Sequence, residues 1–217
     1  MGRTGGYILL SCLCAACMCC GCASMPVVKL DDCVGGDAAL FSEHFRFDCS
    51  GAQRFRYVFR RSGKELACNG VAEKTEQGQV KVAGFGDSGI TLFAAIWADG
   101  NCSIIKNNTG MSDAFLNRTV FGDLLLRYRP LPVDGGCMRR NEADGSWWLT
   151  TDTEWSGVKG CFILADGQYG WSGLANGRVV FKAMMLEGAA DGRTIIGIEN
   201  YRDAYKAEVV YMVESSN

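Results

Sequence analysis

From residue 41 onward, apolar and polar residues alternate with period two over short runs. Phe45, Phe47 and Cys49 alternate with Arg46 and Asp48, and Phe55, Tyr57 and Phe59 alternate with Arg54, Arg56 and Arg60. A strand buries every second side chain, so this period predicts sheet with one face on a core and one in water. Further strands are predicted over residues 65–75, 80–83, 90–97 and 102–106, then over 146–151, 160–165, 168–174, 178–186, 194–200 and 206–213. Asp99-Gly100, Asp166-Gly167, Asn176-Gly177 and Asp191-Gly192 stand between apolar runs, as the tight turns of hairpins do. The period changes once. Over residues 112–129, Phe115, Leu116, Val120, Leu124 and Tyr128 recur at helical spacing, with Phe121 and Leu125 widening the stripe. Ser112 is placed to cap this helix and Pro130 and Pro132 to end it. The helix is expected to split the sheet into two halves. The fold class is therefore mainly β, an antiparallel sheet with one main helix.

The first residues follow another rule. Arg3 precedes an uncharged stretch, and Lys29 is the next charge. A short positive start, an apolar middle and a small-residue end describe an export signal. Gly21 directly precedes Cys22, as a small residue precedes the acylated cysteine of bacterial lipoprotein signals, and the stretch resembles such a signal. That resemblance implies a signal peptide over 1–21 and lipidation at Cys22. Cys17, after Ala15 and Ala16, is the alternative site. An uncleaved membrane helix or a plain secretory signal would change the anchoring. Residues 22–40, with Met25-Pro26 and Gly35-Gly36-Asp37, show little periodicity and are expected to be a flexible tether. A single domain follows over 41–217.

Composition narrows the function classes. With 22 basic and 24 acidic residues and no basic run, the chain lacks the footprint of a nucleic-acid binder. Gly is frequent at 28 and Pro rare at 3, which suits many tight turns. Cys33, Cys49, Cys68, Cys102, Cys137 and Cys161 lie beyond the signal without metal-type spacing. In an oxidising compartment they are disulfide candidates, with the pairing left open and buried free thiols the alternative. A resident metal or other cofactor is not expected.

The order of elements, a β-meander, one helical segment and a second β-meander behind a lipoprotein signal, resembles the LolA/LolB-type fold. The resemblance covers about residues 54–213. Its best local pieces are VKVAGFGDSGITLFAAIWADG, the helix ending FGDLLLRYRPLP, and the last strands RTIIGIENY and EVVYMV. It implies an unclosed antiparallel barrel, a half-barrel whose opening the helix plugs. It also implies binding of lipid or lipoprotein acyl chains, and an outer-membrane, periplasm-facing location. The apolar lining candidates are Leu92, Phe93, Ile96, Trp97, Leu124 and Leu125. In the family's receptor members an apolar residue protrudes from the loop corresponding to 84–89 toward the membrane; Phe85 is the candidate here, and a tucked-in loop aromatic, the commoner fate of such a residue, is the alternative. The alternative is a non-catalytic structural or assembly lipoprotein with a filled core and a protein partner of unspecified kind.

Catalytic strings do not hold together. Gly86-Asp87-Ser88-Gly89 copies a serine-protease motif, but it sits at a hairpin turn, where these residues are ordinary. The sole histidine, His44, and the intervening acids span too short a stretch for that protease architecture. Trp147-Trp148, Trp155 and Trp171 suit sugar stacking or, more commonly, core packing. No enzymatic activity is expected.

Overall fold

The alternating runs form strands because each buries one row of side chains and leaves its backbone to pair on both sides. A computed structural model describes residues 25–34, 41, 51–128, 136–155, 158–165, 168–186 and 193–212. The expected signal, Cys17, Cys22, His44 and Cys49 lie outside the described residues. The described strands are β1 (Gly51–Arg61), β2 (Lys64–Lys74), β3 (Val80–Phe85), β4 (Thr91–Ala98), β5 (Asn101–Asn107), β6 (Cys137–Arg140), β7 (Trp147–Trp155), β8 (Val158–Ala165), β9 (Gln168–Ala175), β10 (Arg178–Leu186), β11 (Thr194–Asn200) and β12 (Tyr205–Met212). They make one antiparallel sheet in the order β5-β4-β3-β2-β1-β12-β11-β10-β9-β8-β7-β6. The sheet is open, with β5 and β6 as its outer strands.

Two expectations about the middle of the chain need correction. The helical segment divides the strands in sequence but does not split the sheet. β1 and β12 pair from Arg54↔Met212 to Arg60↔Lys206, joining both meanders through the first and last strands. Left apart, each would present an unpaired edge. The helical segment over 113–128, here α1, is also not one regular helix. An α-helical turn (Asp113–Leu116) passes into a π-helical stretch (Asn117–Phe121), a second α turn (Gly122–Leu124) and a 3₁₀ turn (Leu126–Tyr128). Ser112 caps it as expected, accepting a hydrogen bond from the Phe115 amide at 3.3 Å. The regularity fails where the segment is buried on every side. Residues 119–128 are all buried, so packing and not a single apolar stripe sets the backbone path. Thr119 Oγ1 also donates back to the Phe115 carbonyl at 2.7 Å, a bond that bends helices.

α1 lies on the inner face of the sheet. Leu116, Val120, Phe121, Leu124 and Leu126 share one apolar cluster with Phe41, Phe55, Tyr57, Phe93, Ile196, Val209 and Tyr211. A second, smaller cluster of Trp148, Cys161, Ile163 and Val179 sits apart from it.

What covers this second cluster is the stretch expected to be a tether. Residues 25–34 run along the sheet as a strap. Val27 bridges Arg178, Leu30 bridges Asn141 and Val34 bridges Met138, while Val28 and Leu30 pack on the second cluster. Backbone bonds fix both ends of the strap, from Val179 N to the Pro26 carbonyl at 2.8 Å and from Val34 N to the Met138 carbonyl at 3.0 Å. Its apolar residues Val28 and Leu30, packed on the second cluster, are what turn a linker into a covering strand. Cys33 and Cys137 form a disulfide that clamps the strap to β6. The other disulfide candidates within the described residues, Cys68, Cys102 and Cys161, are free thiols. Cys68 belongs to the inner cluster and Cys161 to the second one, so the sheet itself keeps them apart.

Candidate functional site

The inner face under α1 is the candidate site, and it is built around a buried carboxylate. Asp123 sits in the apolar run Val120–Tyr128 and is 5% exposed. Tyr57 from β1 donates its hydroxyl to Asp123 Oδ2 at 2.9 Å, and Tyr205 from β12 donates to Oδ1 at 2.9 Å. A carboxylate in an apolar interior needs such donors, since desolvation without them costs several kcal/mol. Burial first, and then the neighbouring Asp123 carboxylate, push both phenols well above their ordinary range, so they stay protonated and keep donating. At the next residue, Tyr211 of β12 donates to the Leu124 carbonyl at 2.7 Å, and the Arg127 guanidinium lies 4.9 Å from the Tyr211 ring. α1 is thus bolted to the two strands that join the meanders. At its start, Arg118 forms a two-pronged pair with Asp203, at 3.0 and 2.7 Å, in the β11–β12 turn.

The lining candidates divide. Phe93 and Leu124 are 0% exposed and Leu125 is 7% exposed. The Phe93 ring packs edge-on against Phe121 with centroids 5.4 Å apart. Leu92 and Trp97 are half-buried against the same cluster. Ile96 stands directly opposite the exposed Lys81 on β3 and so shares its outer face. The structure therefore gathers Leu92, Phe93, Trp97, Leu124 and Leu125 against the inner cluster and leaves Ile96 outside. Gly84 lets this happen, because the Phe93 ring lies where a Cβ at that position would be. The buried tyrosines Tyr57, Tyr205 and Tyr211 were not singled out from the sequence. One signal for the bolt was present, a lone Asp inside the run Val-Phe-Gly-Asp-Leu-Leu-Leu.

Phe85 ends β3 and is half-buried on the outer face, opposite Asn69. With Arg54, Val71 and Met212 it lines a shallow groove of about 320 Å³. It does not protrude. The β3–β4 turn is closed by Gly89 N to the Gly86 carbonyl at 2.8 Å and by Gly86 N to the Ile90 carbonyl at 3.0 Å. The residue that projects at this hairpin is Ile90, 59% exposed. Asp87 and Ser88 are exposed in the same turn. Trp148 is buried, with its indole donating to Ser146 Oγ at 2.7 Å, and Trp171 belongs to the inner cluster. Among the described residues no three of His, Cys, Asp and Glu gather as metal ligands, and no helix is long and apolar enough to cross a membrane.

The fold class expected from the sequence, an unclosed antiparallel half-barrel with a helical plug, is the fold observed. No family model matches the chain. No curated protein matches it. Among solved structures, the chain is similar to a putative outer membrane lipoprotein-sorting protein domain from Vibrio parahaemolyticus, at 8% identity and TM-score 0.43, covering 82% of this chain and 92% of that one. It is also similar to a LolA superfamily protein from Nitrosomonas europaea, at 11% identity and TM-score 0.41, covering 79% of this chain and 88% of that one.

Proposed function

We propose that the chain is a lipid-anchored protein of the cell envelope, held at Cys22 on the periplasmic side of the outer membrane, whose half-barrel takes up lipid or lipoprotein acyl chains against its inner face. One observation carries this reading. The inner face of an open sheet is largely apolar, its polar groups there being the hydroxyls of Tyr57, Tyr205 and Tyr211, and what covers it is a broken helical plug instead of further strands. Such a plug is held by packing and by a few polar bolts, so it can be displaced as a unit. An acyl chain in its place regains about 0.8 kcal/mol per buried methylene. π-helical stretches inside helices occur often at functional sites.

The experiment is uptake of a fluorescent fatty acid, with native mass spectrometry of the purified chain, for the wild type and for Asp123→Asn. Weakening the bolt should raise uptake if the plug yields to the ligand. A clean apo mass with no uptake by either protein overturns the reading. It would leave the second one, a non-catalytic structural or assembly lipoprotein, which the complete burial of Phe93 and Leu124 favours. Anchoring is tested separately. Radiolabelled palmitate should remain with the product, and Ala23→Asp should shift it to the inner-membrane fraction.

A further inference from the structure

The strap has a consequence for how the body stands on a bilayer. Pro26 is fixed at the β9–β10 turn, where its carbonyl accepts from Val179 N, and Val28 N donates to the Gly177 carbonyl at 3.2 Å. Cys22 precedes Pro26 by four residues, a span of at most about 14 Å of extended chain. The leash is therefore short, and the end of the sheet it reaches is fixed.

That end is basic. Strand pairing puts three turns side by side there, since Arg60 of β1 faces Lys206 of β12, Asn200 of β11 faces Tyr205 of β12, and Phe181 of β10 faces Asn200. The acids of this rim are already held, Glu65 by Arg60 at 2.8 Å, Asp203 by Arg118 at 2.7 Å and Glu199 by Lys206 at 2.6 Å. Arg61, whose guanidinium lies 4.9 Å from the Phe115 ring, Lys64, Arg178 and Arg202 remain, all exposed, as positive charge with no acid paired to it among the described residues of the rim. Beside Arg178 the strap presents Val27, 63% exposed.

We propose that this rim, formed by the β1–β2, β9–β10 and β11–β12 turns with Val27, is a docking surface for an anionic bilayer, its four cations meeting lipid phosphates. Juxtamembrane Lys and Arg are drawn to anionic leaflets in this way. The inference rests on the anchoring proposed above.

The test uses the full chain bound to vesicles of phosphatidylcholine with phosphatidylglycerol. A photo-reactive phenylalanine replaces Val27 or Lys64 on the rim, or Glu76 or Ser103 away from it. Glu76 lies beyond the far end of β2, an 11-residue strand and so about 35 Å from Lys64. Lipid should be captured from positions 27 and 64 and not from 76 or 103. Capture should fall when phosphatidylglycerol is omitted, and again in Arg178→Glu/Arg202→Glu, whose sites are exposed and whose circular dichroism should match the wild type. Equal capture from positions 27 and 76, or from neutral and anionic vesicles alike, overturns the rim. A chain that takes up no palmitate yet is captured from position 27 on anionic vesicles overturns the anchor and keeps the rim.

Discussion

The two meanders use the same strand pattern but are sealed differently. In the first, β1 to β5, inner residues such as Phe55, Tyr57, Phe93 and Ala95 are buried, while the outer face is mostly exposed, at Arg54, Arg56, Glu73 and Lys81, although Val58 is buried there between Tyr57 and Phe59. One cover, α1, is enough. In β8 and β10 of the second, adjacent residues are buried in pairs, Phe162 with Ile163 and Val179 with Val180. Both faces there are apolar, and both need covering. α1 takes the inner face and the disulfide-clamped strap takes the outer one. A strand that alternates cleanly asks for one partner, whereas a strand apolar on both faces asks for two. The second partner can come from far away in sequence, here 104 residues from Cys33 to Cys137.

The largest break in this arrangement is expected at the shared inner seal. Phe121→Ala removes a fully buried ring that packs on Phe93, and should cost about 3–5 kcal/mol in urea unfolding. A loss under 1 kcal/mol would mean the plug contributes little to stability. Next comes the clamp of the second meander. Removing the Cys33–Cys137 bond should cost about 2–5 kcal/mol, since the loop it closes is long. Thermal unfolding of Cys33→Ser/Cys137→Ser, against wild type with and without reductant, reads it. The comparison sharpens if the double variant also exposes the Cys161 thiol to an aromatic disulfide reagent while Cys68 stays protected. Equal reactivity of the two would show that the strap does not shield the outer cluster.

Much of this was legible in the sequence, and the failures have physical causes. Period-two runs and the Asp99-Gly100 and Asn176-Gly177 turns located the described strands to within a few residues, except β6, which carries no alternation and was missed; Asp166-Gly167 and Asp191-Gly192 lie outside the described residues. Asp99 and Gly100 both have positive φ, as the tight hairpin turn requires. The position of α1 was legible too. Its broken geometry was not, because burial on all sides is a tertiary fact. The strap was misread for a related reason. Val28 and Leu30 are too few to make a period, and only the apolar outer face of β8 and β10 gives them something to cover. Disulfide pairing depends on which segments meet, so Cys33 and Cys137 were indistinguishable from Cys68 and Cys161 until the strap was placed. The bolt was partly visible as Asp123 alone among leucines, but its two tyrosine donors lie 66 and 82 residues away.

Alkaline pH probes one buried thiol in each meander. Burial pushes Cys68, in the inner cluster, and Cys161, under the strap, up to about 12. A thiol whose folded pKa is raised contributes its full stability below the unfolded value near 9. That stability is lost as pH rises from there toward 12. Each thiol should steepen the loss by about 1.4 kcal/mol per pH unit in this window. Tyr57 and Tyr205, also raised, add to it above about 10. Cys68→Ala and Cys161→Ala should each flatten the pH dependence of the urea midpoint between pH 9 and 11. If the strap alone dries Cys161, reducing the clamp should flatten only that residue's share. A slope unchanged in both variants would mean that the unfolding seen there begins elsewhere.

The smallest expected effect separates burial from mere pairing within the basic rim. Arg60–Glu65 and Arg118–Asp203 are both close ion pairs, at 2.8 and 2.7 Å. In the first both side chains are more than half exposed, at 58% and 53%, whereas Asp203 is only 9% exposed. Water screens the first pair nearly as well as it would the separated charges, so Glu65→Gln should change stability by no more than about 0.5 kcal/mol. Arg118→Ala leaves a buried carboxylate without its two-pronged partner and should cost about 1–2 kcal/mol. Arg118 ties α1 to the β11–β12 turn, so the larger loss should come with faster amide exchange at the start of α1, and Glu65→Gln should leave those amides unchanged. Equal losses in the two variants would mean that Asp203 finds water when Arg118 is removed, and that the start of the plug is held by Phe115 and its neighbours instead of by the pair.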